Sequence, residues 1–267
     1  MLTTADLSQK PDVPAGLALS RVPEVTLAFW IIKVLSTGMG ETASDFLAHR
    51  LGPVSAVGLA GLGLVLALTL QFRAGRYVAW VYWLAVVMVS VFGTLAADAA
   101  HVGFGVPYLA STVLFMAVLA AVFWLWQRRE GTLSIHSVFT RRREAFYWAA
   151  VLTTFALGTA AGDMTARTLG LGWLLSGLLF AALIAVPGVL RSRAFLSEIP
   201  AFWLAYILTR PLGASFADWV AVPHTRGGLG LGTGVVTLGL SGLIAALVGA
   251  LVLAQRQGRG DRPLAAD

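Results

Sequence analysis

Residues 22–45 read VPEVTLAFWIIKVLSTGMGETASD, an apolar run interrupted by Lys33, Glu41 and Asp45. Inside it the aromatic pair Phe29-Trp30 is followed by nine residues and Gly40, then by four residues and Asp45. The same aromatic-Trp-x9-Gly-x4-Asp pattern returns as Tyr82-Trp83, Gly93 and Asp98, as Tyr147-Trp148, Gly158 and Asp163, and as Phe202-Trp203, Gly213 and Asp218. Four copies at one unvarying spacing are an internal duplication.

Working outward from the motif, each copy begins an apolar stretch and is followed by a second. Spanning hydrocarbon as a helix takes roughly 20 apolar residues, because every backbone amide has to be bonded internally. Eight stretches qualify, at about 25–47, 53–71, 77–100, 107–126, 145–166, 172–190, 200–220 and 233–254. The expected fold is therefore an all-α integral membrane protein of eight transmembrane helices from four two-helix repeats, at 25–76, 77–144 with its cytoplasmic loop, 145–199 and 200–254. Residues 1–24 and 255–267 are polar and read as soluble tails, the first of them disordered. Because each repeat holds two spans, all four share one orientation, and their pseudo-symmetry axis runs along the membrane normal. A pseudo-fourfold ring or a pair of pseudo-twofold halves satisfies this condition.

Composition agrees. The chain has 267 residues, 58% hydrophobic and 12% charged, and a soluble domain carries about twice that charged fraction. There is no cysteine, which excludes disulfides and thiolate chemistry. The net charge of +6 is informative by position. The tails and the loops after the second, fourth and sixth spans hold fourteen Lys and Arg residues, and the opposite loops hold three, Arg50, Arg167 and Arg226. That asymmetry predicts both termini on the cytoplasmic side of a bacterial inner membrane.

With these residues in view, the chain resembles a bacterial membrane-protein family of four tandem repeats of unknown function, in which each repeat has two transmembrane segments and a characteristic tryptophan. The resemblance covers nearly all of residues 22–254 and is carried by the four aromatic-Trp pairs with their Gly and Asp. It implies architecture and names no activity.

The repeat positions have physical meanings of their own. Trp30, Trp83, Trp148 and Trp203 lie near the inner end of each odd-numbered span, and the Asp lies about 22 Å further along, toward the outer end. The tryptophans read as interfacial anchors or packing residues, with substrate stacking as the alternative. Gly40, Gly93, Gly158 and Gly213 permit close helix approach, within a stripe of small and hydroxyl residues that either packs or lines a polar path. Asp45, Asp98, Asp163 and Asp218 are expensive within a membrane and mark a functional site by default; the alternative is that they cap helix ends. Brought together they repel one another unless a cation or proton sits between them.

The copies differ in ways that matter. Only the first holds Lys33 and Glu41, and only the fourth holds Arg210, next to Pro211, so Lys33 and Arg210 are expected to pair with acids across helices. His49 follows Asp45 by four residues and His101 follows Asp98 by three, on shared helix faces, a pairing suited to a borderline divalent metal. Residues 227–234, GGLGLGTG, lack the Lys-Ser/Thr ending of a phosphate-binding loop and read as a flexible outer loop. No hydrolase, metalloprotease or nucleic-acid-binding motif occurs, so neither an enzyme nor a bound cofactor is expected, and the partners are the lipid bilayer and a cation or small-molecule substrate. The function read from these residues is a secondary transporter or exporter of a cation. The alternatives are a membrane-embedded lipid-binding protein or enzyme, and a structural or sensory membrane partner.

Overall fold

A computed structural model describes residues 20–103 and 105–260. Eight long α-helices account for most of them: α1 (Leu27–Leu51), α2 (Pro53–Ala74), α3 (Ala79–Asp98), α4 (Tyr108–Glu130), α5 (Arg141–Asp163), α6 (Gly172–Ser192), α7 (Glu198–Ala221) and α8 (Thr233–Gly260). Six are long and apolar enough to cross a membrane. The other two, α1 and α7, are diluted by Lys33, Glu41 and Asp45 and by Arg210 and Asp218, which face inward.

Local sequence explains the boundaries. Thr26 and Thr140 cap α1 and α5, accepting from the amides of Phe29 and Arg143. Gly75 and Gly131 end α2 and α4 in the left-handed conformation. Gly52 is the single residue between α1 and α2, and Pro53 opens the second helix, where its missing N–H costs nothing. After Asp98 and Asp163 the helices α3 and α5 widen into π turns, Ala99–Gly103 and Met164–Thr168, whereas α1 and α7 carry no such turn.

The odd-numbered helices form a closed inner ring, with α1 packed on α3, α3 on α5, α5 on α7 and α7 back on α1. Each even helix covers the odd helix that follows it in sequence: α2 on α3, α4 on α5, α6 on α7, and α8 on α1, which completes the cycle. The odd helices are therefore largely buried and the even ones keep broad apolar faces outward, as Leu59, Val65, Leu114, Leu178 and Leu238 show.

Two sets of contacts lock the ring, and both obey the repeat. The residue before each Trp packs on the Trp of the next repeat: Phe29 on Trp83 at 5.8 Å between ring centres, Tyr82 on Trp148 at 5.6 Å, Tyr147 on Trp203 at 6.2 Å and Phe202 on Trp30 at 5.7 Å. Higher up, each repeat glycine receives the side chain seven residues beyond the next repeat's Trp. Gly40 faces Ser90, Gly93 faces Phe155, Gly158 faces Arg210 and Gly213 faces Thr37, each too closely to admit a Cβ without displacing its neighbour. Equivalent positions meet at both levels, so the four odd helices run parallel about one axis.

Of the readings open for the tryptophans, packing describes them: they belong to an eight-membered aromatic belt, and Trp83, Trp148 and Trp203 are buried, because the neighbouring repeat supplies a ring on which each can stack. Other sequence expectations change. Residues 20–24 are not a loose tail: Tyr77 donates its amide to the Ser20 carbonyl, and Arg21 reaches the buried carboxylate of Glu144 at 2.6 Å. Residues 1–19 and 261–267 lie outside the described residues, but α8 carries the polar end as far as Gly260. The glycine-rich stretch is held rather than flexible, because the amides of Leu229, Gly230, Leu231 and Gly232 bond to the free carbonyls at the end of α7. The arginine-rich loop shrinks to residues 131–140, since α4 and α5 both extend beyond their apolar segments and Glu130 pairs with Arg142 and Arg143 across the gap.

Candidate functional site

Counting from each repeat Trp in steps of four, about one helical turn, the ring presents a stack of four-residue layers to its interior. The lowest, one residue before the Trp, is Phe29, Tyr82, Tyr147 and Phe202, and the hydroxyls of Tyr82 and Tyr147 share a hydrogen bond of 2.5 Å. Next come Lys33, Val86, Val151 and Tyr206, all fully buried. Above them lie Thr37, Ser90, Phe155 and Arg210, then Glu41, Thr94, Thr159 and Ala214, and finally Asp45, Asp98, Asp163 and Asp218.

Arg210 bridges the third and fourth layers. It is fully buried, and its Nη2 donates to Glu41 Oε2 at 2.5 Å, to Thr159 Oγ1 at 2.9 Å and to Thr94 Oγ1. Its Nη1 donates to the Thr37 carbonyl at 3.2 Å. One guanidinium of α7 is thus bonded to α1, α3 and α5. The fourth repeat has Ala214 where the others have Glu41, Thr94 and Thr159, which leaves the space into which Arg210 rises from its own helix one turn below.

The cross-helix pair expected for Arg210 is formed, with Glu41. The one expected for Lys33 is not. Among the described residues Lys33 Nζ has no hydrogen-bond partner, and it lies over the faces of Phe155 and Tyr206, 4.2 and 4.3 Å from the ring centres. Glu41, the nearest acid on its own helix, is two turns away and already taken by Arg210, so Lys33 meets aromatic faces instead.

At the end of the ring away from the tryptophans, Glu41, Asp45 and Asp98 each offer a carboxylate oxygen, and these lie within 4.8 Å of one another. Asp163 and Asp218 are buried beside them, near enough for the charges of Glu41, Asp45 and Asp163 to act on Asp218. Asp163 is paired with Arg167 one turn on, at 3.3 Å. The three clustered acids open into a cavity of about 700 Å³ between α1, α2 and α3, walled also by Tyr108 and Arg167.

The histidines are not brought into this cluster. His49 is exposed and its Nδ1 bonds the Asp45 carbonyl at 2.7 Å, while His101 bonds the Val106 carbonyl at 3.0 Å and packs on Tyr108 at 4.2 Å. The π turn after Asp98 carries His101 sideways, away from the face it would share with Asp98 in a regular α-helix. The acids that meet at this end are therefore Glu41, Asp45 and Asp98, with no histidine among them.

Two features were not found by inspecting single repeats. One is the partner of the aromatic residue before each Trp, which is the next repeat's Trp. The other is the joint role of Thr94 and Thr159 with Glu41, which emerges when the four copies are aligned eleven residues beyond their Trp.

The sequence profile of a family described as Repeat of Unknown Function (DUF347) matches the chain four times, at residues 28–77, 81–132, 146–194 and 201–257. No curated protein and no solved structure matches.

Proposed function

Because the chain belongs to the DUF347 repeat family, whose description states no activity, we propose its function from the site itself: a membrane carrier that binds a cation at the outer end of its inner ring. The observation that carries this reading is the meeting of Glu41, Asp45 and Asp98 on a cavity, with Asp163 and Asp218 beside them. Carboxylates gathered in a poorly hydrated place repel one another, and a cation or protons relieve the repulsion.

In this reading all eight helices span the bacterial inner membrane. Lys33 and Glu41 of α1 and Arg210 and Asp218 of α7 are buried among neighbouring helices, so those two need no wholly apolar surface. The excess of Lys and Arg on one side supports cytoplasmic termini in this reading. Below the acids, Arg210 and Lys33 and then the aromatic belt obstruct a straight axial path, which favours a carrier that rearranges over an open pore. The Arg210–Glu41 pair is the gate in this scheme, since a cation among the acids competes with Arg210 for Glu41. No catalytic step or cofactor is called for.

Flux through purified protein reconstituted in liposomes tests the reading. Wild-type protein moves a cation, and Asp98→Asn and Asp45→Asn each reduce that flux by at least about tenfold. Full flux after both substitutions rules the acids out.

A further inference from the structure

The outer cavity is larger than a bare metal ion needs, and much of its wall is carbon. Its volume of about 700 Å³ lies within the roughly 300–1,000 Å³ of pockets for small organic molecules. A hard divalent ion gathers about six to eight oxygen ligands; the three carboxylates supply part of that shell, one of their oxygens being engaged by Arg210, and water would have to complete it. Ala48, Pro53, Val54, Val57, Leu95 and Ala99 make much of the remaining wall apolar, broken by the His49 and Tyr108 rings. Arg167, also on the wall, is occupied by Asp163 at 3.3 Å and by the Tyr108 hydroxyl at 3.1 Å.

Asp218, in the same layer as Asp45 and Asp98, is 4% exposed and forms no side-chain hydrogen bond or ion pair among the described residues. Arg210 and Arg167 pair with Glu41 and Asp163, which leaves Asp45, Asp98 and Asp218 without a guanidinium or ammonium partner. Among the described residues α2 and α4 form no packed interface with each other, so helix packing between them does not close the cavity's flank.

We propose that the cavity takes an organic cation, an ammonium or other onium centre carrying an apolar body. The charged centre lies against Glu41, Asp45 and Asp98, and the body lies along Val54 and Val57 of α2 and Leu95 of α3. This rests on the cation reading above and specifies its substrate class. Apolar walls supply the hydrophobic contribution that a hydrated metal ion cannot use.

Equilibrium binding to the full-length protein in detergent tests it, with radiolabelled tetraphenylphosphonium as the organic probe and Mn²⁺ as the metal probe. Wild-type protein binds tetraphenylphosphonium saturably. Val57→Trp, which fills the cavity from α2 without touching a carboxylate, weakens that binding by about tenfold or more, and so does Asp98→Asn. Ala48→Leu, on the α1 wall, provides a second, milder filling and weakens binding in the same direction. Absence of saturable tetraphenylphosphonium binding overturns the proposal, as does binding unchanged by both filling variants in monodisperse protein. Saturable Mn²⁺ binding, lost in Asp98→Asn and unaccompanied by organic-cation binding, overturns it while leaving the cation reading intact. Failure of both probes removes the two together.

Discussion

The guanidinium of Arg210 is enclosed by three neighbouring helices, and Glu41 is its carboxylate partner. Removing one partner of such a pair leaves a buried charge uncompensated, at a cost of about 3–5 kcal/mol. Glu41→Gln is therefore expected to destabilise the protein by about that amount, measured as denaturant-induced unfolding in detergent. The double substitution Glu41→Gln with Arg210→Met, which removes both charges, recovers most of the loss. A smaller effect is expected from Tyr82→Phe, which deletes the 2.5 Å hydroxyl contact with Tyr147 and leaves the ring stacking in place. Its loss of about 0.5–1.5 kcal/mol is read by the same unfolding measurement. The residue types of these sites were plain in the sequence. Their partners were not, because Glu41 and Arg210 are separated by 169 positions and meet only across the ring.

At the scale of the element, the repeat glycine is what lets neighbouring odd helices approach. A Cβ at Gly213 would press on the Val34 carbonyl, 2.6 Å away, and one at Gly158 would press on Arg210 Cβ at 2.6 Å. Gly213→Ala meets backbone and is expected to destabilise by about 1–3 kcal/mol. Gly158→Ala also crowds Arg210 and is expected to disturb the Glu41 pair. Gly58 on α2 has open space around it, so Gly58→Ala is neutral or slightly stabilising, by up to about 1 kcal/mol. Comparison of the three melting temperatures checks this order. The aromatic residue, Trp and Gly of the motif marked helix positions in the sequence, but what the aromatic residue packs against was not legible there. Its purpose depends on a ring from the following repeat, and the side to which each helix turns is not encoded in any one copy. The π turns after Asp98 and Asp163 were equally invisible, and they decide where His101 and Arg167 point.

For the molecule as a whole, the repeats close into a cycle, with α8 of the last covering α1 of the first. The absence of native cysteine makes the orientation directly testable. Arg129→Cys, at the end of α4, is expected to react with a membrane-impermeant maleimide only in inverted vesicles. Thr225→Cys, beyond α7, is expected to react in right-side-out cells; the reverse pattern would invert the topology. The number of helices, their grouping in pairs and their shared direction were determined by sequence alone, because hydrocarbon thickness and an unvarying motif spacing leave little freedom. The tertiary structure alone decided that Arg210 takes Glu41, that Lys33 is left over aromatic faces, and that three acids gather on one cavity while His101 bonds the Val106 carbonyl instead. Those outcomes depend on side-chain reach and on which layer of one helix meets which layer of the next. A linear pattern gives the height of Asp45 along its helix, but closure of the ring determines what stands opposite it.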